Sequence, residues 1–374
     1  MIKPHTNMKV MTLFGTRPEI IRLSRVMAAL DKHLLHIMVH TGQSYDYEMS
    51  KIFFEQLEIR KPDYFLDVKA DTFGAQIANI IARSEEVFLK QKPDALLILG
   101  DTNSSLACIV AKRLKIPIFH MEAGNRCFDT IPEEINRKIV DHISDINLPY
   151  SENARLNLLA EGIHPNGIFV TGSPLREVLD YFRPKIEQSK VHSQLDLDER
   201  TYFLASIHRE ENVDSKESLG LLLQALGTLA SSNGFPVIVS THPRTSRRIK
   251  EFSLSMPKNV KFCKPFGYFE YMRLQQLAAC VLSDSGTILE ESSLLPCPAV
   301  QVRSSSERPE AYDEGVSILT GLNTDSIIKS VEIVMKEWQE GKRPRIPTVY
   351  QAENVSSKVL RHIVGLTNIL RSKQ

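Results

Sequence analysis

Short runs of aliphatic and β-branched residues alternate along this chain with longer stretches in which apolar positions recur at helical spacing. Lys9–Phe14, Leu35–His40, Ala95–Leu99, Ile116–Met121, Ile146–Leu148 and Ile168–Thr171 read as strands. Pro18–Leu30, Tyr45–Leu57, Thr72–Lys90, Ser104–Leu114 and Glu133–Ile143 read as the helices between them. Ala95–Leu99 is apolar at every position, the mark of a strand covered on both faces. The polar stretch from Pro184 to Asp198 breaks the rhythm, and a linker is expected there. The alternation then resumes with strands at Tyr202–Ile207, Val237–Ser240, Val260–Cys263, Cys280–Ser283 and Ala299–Val302, and helices at Leu219–Ser231, Tyr268–Ala279 and Thr287–Leu294. A last helix, Val355–Leu370, has no strand after it; a helix so placed packs back onto the first domain.

Repeated β-α alternation predicts an α/β fold with parallel sheets covered by helices. A chain of 374 residues exceeds the ~250–300 residues at which one core stops growing. Two Rossmann-like domains facing a cleft are therefore expected: 1–176, 177–353, and a terminal helix over 354–374. Ligands of open α/β sheets bind beyond the carboxyl ends of the strands. Gly15, Asp101, Glu122, His208 and Asp284 each follow a predicted strand and are the first candidates for a site.

Composition narrows the function. The net charge is +1, from 46 basic and 45 acidic residues, which gives no field for nucleic acid or an anionic membrane. The five cysteines lack CxxC spacing, so neither a disulfide framework nor a zinc site is expected, and a reducing cytoplasm is. No stretch approaches the ~20 apolar residues of a membrane helix. Met8 opens the first apolar run; the polar residues before it do not read as a signal peptide and are either an extension or an upstream start.

The densest chemistry is Glu122-Ala123-Gly124-Asn125-Arg126 followed by Pro132-Glu133-Glu134-Ile135-Asn136-Arg137, shortly after Gly100-Asp101-Thr102. Several of these residues also have structural readings. Thr16 and Glu19 have capping-box spacing, as do Thr130 and Glu133, and Thr287 and Glu290. Capping does not explain Arg17 at the positive end of a helix, nor Arg22 beyond it; a bound anion would. Glu133 and Arg137 could be an ordinary i,i+4 pair worth ~0.2–0.5 kcal/mol. Ser285, Gly286 and Thr287 open a helix and could present N–H groups to phosphate, with Arg308 as a further cation and Glu291 in reach of ribose hydroxyls. His208 ends a strand beside an arginine. Tyr271 and Phe266 could stack on a base or simply fill the core. No GxG, P-loop, HExxH or GxSxG pattern occurs, so the site works with carboxylates, cations and a histidine and without a cofactor or metal.

Gly15-Thr16-Arg17-Pro18-Glu19, His40-Thr41-Gly42-Gln43, Gly100-Asp101-Thr102, Glu122-Ala123-Gly124, Pro132-Glu133-Glu134-Ile135-Asn136-Arg137, Asp284-Ser285-Gly286 and Glu307-Arg308-Pro309-Glu310 run in order over nearly the whole chain. Together they resemble the non-hydrolysing UDP-N-acetylglucosamine 2-epimerase family. The resemblance implies a GT-B-like fold and a homodimer. It implies Asp101, Glu122, Glu133 and His208 as catalytic residues. Arg17, Arg22, Gln43, Arg137, Tyr271, Ser285, Gly286, Thr287, Glu291 and Arg308 then hold a UDP-sugar. Departures from the common pattern are Arg22 in place of lysine, Thr287 in place of a second glycine, Glu210 after His208-Arg209, and a short segment between Gly124 and Pro132. With Tyr45-Asp46-Tyr47-Glu48, Phe128-Asp129 and Phe266-Gly267-Tyr268-Phe269-Glu270-Tyr271, they resemble the branch that converts UDP-2-acetamido-2,6-dideoxy-L-talose to UDP-N-acetyl-L-fucosamine for capsule or O-antigen synthesis.

The activity so implied has a chemical logic. The C2 hydrogen of an N-acetylated sugar has no adjacent carbonyl and becomes acidic only when positive charge develops at C1, as UDP departs. Cations must hold the diphosphate, and carboxylates must move protons on two faces of the ring. The competing readings are a GT-B glycosyltransferase, a nucleotide-sugar sensor and a hydrolysing epimerase.

Overall fold

The computed structural model describes residues 8–42, 47–127 and 131–373, with backbone alone at 47–50. It divides into two compact units, one comprising the chain up to Tyr181 together with the stretch from Gln351 onward, the other Phe182–Tyr350.

The first unit is built on six parallel strands, β1 (Lys9–Phe14), β2 (Leu35–His40), β3 (Tyr64–Phe65), β4 (Ala95–Leu99), β5 (Ile118–Met121) and β6 (Ile146–Leu148), in the order β3-β2-β1-β4-β5-β6. The second repeats the design with β7 (Phe203–Ser206), β8 (Val237–Ser240), β9 (Val260–Cys263), β10 (Cys280–Ser283), β11 (Ala299–Gln301) and β12 (Ile318–Leu319), ordered β12-β11-β10-β7-β8-β9. Counted from its own first strand, each sheet runs 3-2-1-4-5-6, the doubly wound order. The winding reverses between β1 and β4 in one unit and between β7 and β10 in the other, and ligands of such sheets bind beyond that reversal. The turns after β1, β4, β7 and β10 carry Gly15-Thr16, Gly100-Asp101, Ile207-His208 and Asp284 respectively.

Burial on both faces explains the apolar strands. Every residue of β4 is buried. Met11, Leu13, Leu96 and Ile98 pack with Ile80, Phe88 and Val110 from the flanking helices, and Phe203, Val237, Val239 and Leu282 pack with Leu222, Leu226 and Val331 in the second unit. The terminal helix Val355–Arg371 packs on the Arg17–His33 helix within the first unit.

Three expectations are corrected. Pro184 does not open a linker: it lies inside the helix Leu175–Glu187, which the unit boundary crosses. Leu175, Val178, Leu179, Phe182 and Ile186 are all buried at helical spacing, and that face outweighs the N–H that one proline removes. The segment Ile168–Thr171 forms a single bridge, Asn147 with Ile168, rather than a strand; the adjoining Pro149 has no N–H to continue the ladder. Ser104–Leu114 starts as a 3-10 turn, Asn103–Ala107, before the short helix Cys108–Arg113. The sequence alternation also leaves out Thr324–Gln339, a helix that buries Ile327 and Val331.

Candidate active site

In the first unit, the turn after β1 leads into the Arg17–His33 helix through the capping arrangement of Thr16 and Glu19. Glu19 does more than cap. Its fully buried carboxylate accepts the N–H groups of Gly15 (3.1 Å) and Thr16 (2.8 Å) and the hydroxyl of Thr16 (2.7 Å), and on its other oxygen the hydroxyl of Thr102 (3.2 Å). It therefore joins the Arg17 turn to the Asp101 turn. Burial pushes its carboxyl up to about 7 against the four hydrogen bonds, which favour the charge. Arg17 is half-buried with its guanidinium over the Phe53 ring. Arg22 is buried, lies over the Tyr150 ring and sits 3.8 Å from Glu122.

The turn after β5 is backbone chemistry of an uncommon kind. Glu122 adopts a left-handed conformation (φ 63°), as does Gly124 (φ 81°). A glycine is required at 124, where a Cβ would lie 2.3 Å from the Ala154 carbonyl oxygen. A non-glycine residue such as Glu122 pays of order 1–3 kcal/mol for that geometry, and residues so held cluster at active sites. The neighbouring turn brings Asp101 close by: β4 and β5 pair with Leu99 opposite Met121, and a Cβ on Gly100 would lie 3.9 Å from Glu122 Oε2.

The helix Pro132–Ile143 supplies the counter-charges. Arg137 Nε and a terminal nitrogen lie 2.8 and 2.6 Å from the same oxygen of Asp101, and its other terminal nitrogen lies 3.0 Å from Glu134. The pair expected between Glu133 and Arg137 is thus replaced by Asp101 and Glu134, while Glu133 stays half-buried on the same helix. Asn136 donates to the Asp101 carbonyl (2.9 Å) and to Asn103 (3.0 Å). Arg126 is buried between Asp141 (2.8 Å) and Glu161 (2.6 Å). Gln43, Phe128, Asp129 and Thr130 lie outside the described residues, so the expected caps of Thr130 on Glu133 and the role of Gln43 lie there too.

In the second unit, Asp284 organises the site. It is fully buried, and one oxygen accepts the N–H groups of His208 and Arg209 (both 2.8 Å) and the Asn212 amide (3.0 Å). Its other oxygen lies 3.2 Å from His208 Nδ1. Burial acts to raise this carboxyl, but the His208 contact and these N–H groups outweigh it and hold it below the usual range. The arrangement fixes the imidazole by Nδ1, and 40% of the His208 side chain is exposed. Arg209 donates to the Asp284 carbonyl at 2.9 Å.

Ser285, Gly286 and Thr287 follow directly, yet not as expected. Thr287 and Glu290 form no capping box: the Thr287 hydroxyl meets that of Ser285 at 2.9 Å, and Glu290 pairs with Arg308 at 2.8 Å, both buried. The N–H groups of Ser285 and Thr287 are taken by the hydroxyls of Ser283 and Ser285. Gly286 is packed tightly: a Cβ there would lie 2.4 Å from Glu307 Oε1, and Glu307 is itself held by Arg303 at 2.9 Å. Burial, then the charge of Glu291, pushes the Tyr271 hydroxyl above its ordinary range, with Ser206 hydrogen-bonding against that trend. Among the described residues no group of acidic, histidine or cysteine side chains could hold a metal ion, and no helix is long and apolar enough to cross a membrane.

Asp284, a strand-end candidate from the sequence, takes an inward, organising place. Capping-box spacing accounts for Glu19 without showing its tie to Thr102. His120 and Asp141, which lie 2.9 Å apart and are both buried, are not among the sequence candidates; a histidine inside the apolar run Ile118–Met121 is the available signal.

Two doubly wound parallel sheets, with arginine-paired carboxylates in the turns of one and an aspartate-held histidine at the reversal of the other, define the GT-B-like class of α/β proteins. The chain belongs to the UDP-N-acetylglucosamine 2-epimerase family, whose model matches residues 28–364. It is 40% identical over 348 residues to the UDP-N-acetylglucosamine 2-epimerase of Methanocaldococcus jannaschii, covering 90% of this chain and 95% of that protein. A crystal structure of the M. jannaschii enzyme in complex with UDP-GlcNAc and UDP aligns with TM-score 0.89 at 37% identity, over 96% of this chain and 100% of that one. The structure of the UDP-N-acetylglucosamine 2-epimerase from Rickettsia bellii aligns at 45% identity with TM-score 0.90, over 98% of each chain. The UDP-2,3-diacetamido-2,3-dideoxy-D-glucuronate 2-epimerase of Pseudomonas aeruginosa is 37% identical over 329 residues, 86% of this chain and 92% of that protein. The chain is accordingly a UDP-N-acetyl-sugar 2-epimerase, an isomerase of the non-hydrolysing kind.

Proposed function

We propose that this epimerase acts on UDP-2-acetamido-2,6-dideoxy-L-talose, giving UDP-N-acetyl-L-fucosamine for capsule or O-antigen synthesis, by elimination and re-addition of UDP. The C1–O bond breaks with its electron pair leaving on UDP. A carboxylate takes the C2 proton, and the C2–H pair becomes the C1=C2 bond of a glycal. UDP then adds back to C1 while a proton is delivered to the opposite face of C2.

Asp101, Glu122 and Glu133 are the proton-moving and charge-stabilising groups in this reading, and His208, oriented by Asp284, serves the leaving diphosphate. Arg17, Arg308 and the Ser285–Thr287 turn hold that diphosphate, Glu291 and Tyr271 serve the nucleoside, and Arg22, Arg137 and Gln43 the sugar side. The observation that carries the reading is the pairing of Asp101 and Glu122 on adjoining turns, one braced by Arg137 and the other held in left-handed backbone. Two acids on neighbouring strand ends are what a reaction with proton traffic on two ring faces needs, and a sensor has no use for them.

The choice of sugar rests on the departures at Arg22, Thr287 and Glu210 and on the short segment after Gly124. UDP-N-acetylglucosamine is the second reading, favoured by what the M. jannaschii and R. bellii relatives are named for. The glucuronate enzyme among the relatives supports variation of the sugar within one scaffold. A homodimer and a cytoplasmic setting go with the proposal; size-exclusion chromatography with light scattering tests the former.

Incubating the chain in D2O with each UDP-sugar and following C2 by NMR decides the matter. Deuterium at C2 with the UDP-sugar retained is the expected result, faster for the L-talose sugar. Faster exchange on UDP-N-acetylglucosamine reverses the substrate assignment, and sugar release without exchange overturns the mechanism.

A further inference from the structure

We propose that His120 and Asp141 are positioning residues for the epimerisation, a buried pair that sets the turns carrying Asp101 and Glu122 against the helix carrying Glu133 and Arg137. The inference rests on the reading of those acids as the proton-moving groups.

Both residues are almost wholly buried. His120 lies inside β5, where its neighbours in the strand are apolar. One ring nitrogen, Nε2, is 2.9 Å from the Gly100 carbonyl oxygen, and the other, Nδ1, is 2.9 Å from Asp141 Oδ1. A carbonyl oxygen can only accept, so Nε2 must carry a proton and donate it. Asp141, near the end of the Pro132–Ile143 helix, also accepts the Gly124 N–H (3.1 Å) and an Arg126 N–H (2.8 Å). Arg126 in turn donates to the Asn125 carbonyl (2.7 Å), and the Asn125 amide lies 3.4 Å from Glu122 Oε1.

The consequence is that one imidazole and one carboxylate hold two turns, by the Gly100 carbonyl and the Gly124 N–H, against the Pro132–Ile143 helix. Gly100 precedes Asp101 and has φ 69°; Gly124 follows Glu122 and Ala123 and has φ 81°. Glycine adopts this left-handed backbone without penalty, and what fixes the two turns is the partner each has, His120 for the Gly100 carbonyl and Asp141 for the Gly124 N–H. Burial keeps both His120 and Asp141 from solvent. Their effect is on where the carboxylates stand, and a displacement of about 1 Å in a reacting group can cost ~10²-fold in rate.

The test uses the full chain and whichever of the two UDP-sugars the wild type turns over. His120→Asn and Asp141→Asn are each expected to lower kcat about 10- to 100-fold, within the loss that a displacement of about 1 Å can cause. KM should change less than about threefold, since a positioning defect is felt in the transition state rather than in ground-state binding. UDP binding, read by thermal shift, should be retained. Either folded variant with wild-type kcat, or with its whole loss in KM, overturns the proposal. Should both variants fail to fold, 15N-histidine NMR of the wild type decides: a buried, slowly exchanging Nε2–H on His120 supports the assignment, and an unprotonated Nε2 contradicts it. Failure of the functional reading looks different, because the wild type itself would then show no exchange at C2.

Discussion

The two units wind the same sheet and place different chemistry at its reversal. In the first, acids dominate: Asp101, Glu122 and the buried Glu19 stand at the ends of β4, β5 and β1, each tied to cations or hydroxyls drawn from a neighbouring helix or turn. In the second, the acid at the reversal, Asp284, is spent inward on holding His208 and Arg209, the buried Glu290 and Glu307 are taken up by Arg308 and Arg303, and the exposed group is the imidazole beside the Ser285 and Thr287 hydroxyls. A shared topology therefore fixes where functional side chains can stand and leaves their identity to the turns. In the proposed function the first unit moves protons and the second holds the diphosphate, so the two should fail in different ways when altered.

The largest effect should come from the first unit. Asp101→Asn and Glu122→Gln remove an acid or base without altering size, and each is expected to lower kcat by ~10²–10⁴. Affinity for UDP, measured by calorimetry, should stay within a few-fold of wild type. Near-normal turnover in both variants would remove the distinction between the units.

Gly286→Ala probes the other side of the comparison. The added methyl meets Glu307 Oε1 at 2.4 Å, and Glu307 cannot swing aside without leaving Arg303. Forcing extra volume into packed surroundings costs up to ~1–3 kcal/mol of stability, and the shift of this turn should weaken UDP binding several-fold, with C2 exchange at saturating substrate reduced much less. A fall in kcat alone, with UDP affinity unchanged, would show that this turn serves the chemistry and not the grip.

Much of this was legible in the sequence, and the illegible parts share a cause. Each strand-end turn could be located because an apolar run stops at a polar or glycine residue, as Leu99 stops at Gly100-Asp101 and Ser283 at Asp284. Which partner a charged residue chooses could not, because it depends on the third dimension. Arg137 is spaced equally well for Glu133, yet the helix turns it to Asp101 and Glu134. Thr287 and Glu290 have the spacing of a cap and do not form one, since Arg308 arrives from a distant segment to claim Glu290. Pro184 misled for the opposite reason: a strong local signal lost to five buried apolar residues around it. β12, two residues long, offered too little periodicity to read.

Glu19 offers the smallest effect and the sharpest view of the acidic unit's cost. Its carboxyl titrates at about 7 in the folded chain, raised by burial from 4.5. Between those values the folded state keeps a proton that the unfolded state has released. Stability from this group is therefore full below about 4.5, declines as pH rises, and is gone above about 7, a span worth at most on the order of 3 kcal/mol. Gln in its place keeps one acceptor oxygen for the Gly15 and Thr16 donors, turns an NH2 toward the Thr102 hydroxyl oxygen, and cannot ionise. The difference in Tm between wild type and Glu19→Gln, followed from pH 4.5 to 8, should move in favour of the variant as pH rises and level off above neutrality. A difference that stays flat across that range would mean that the four hydrogen bonds already keep Glu19 charged throughout. The acid would then be a fixed tie between the Arg17 and Asp101 turns rather than one that loosens with pH.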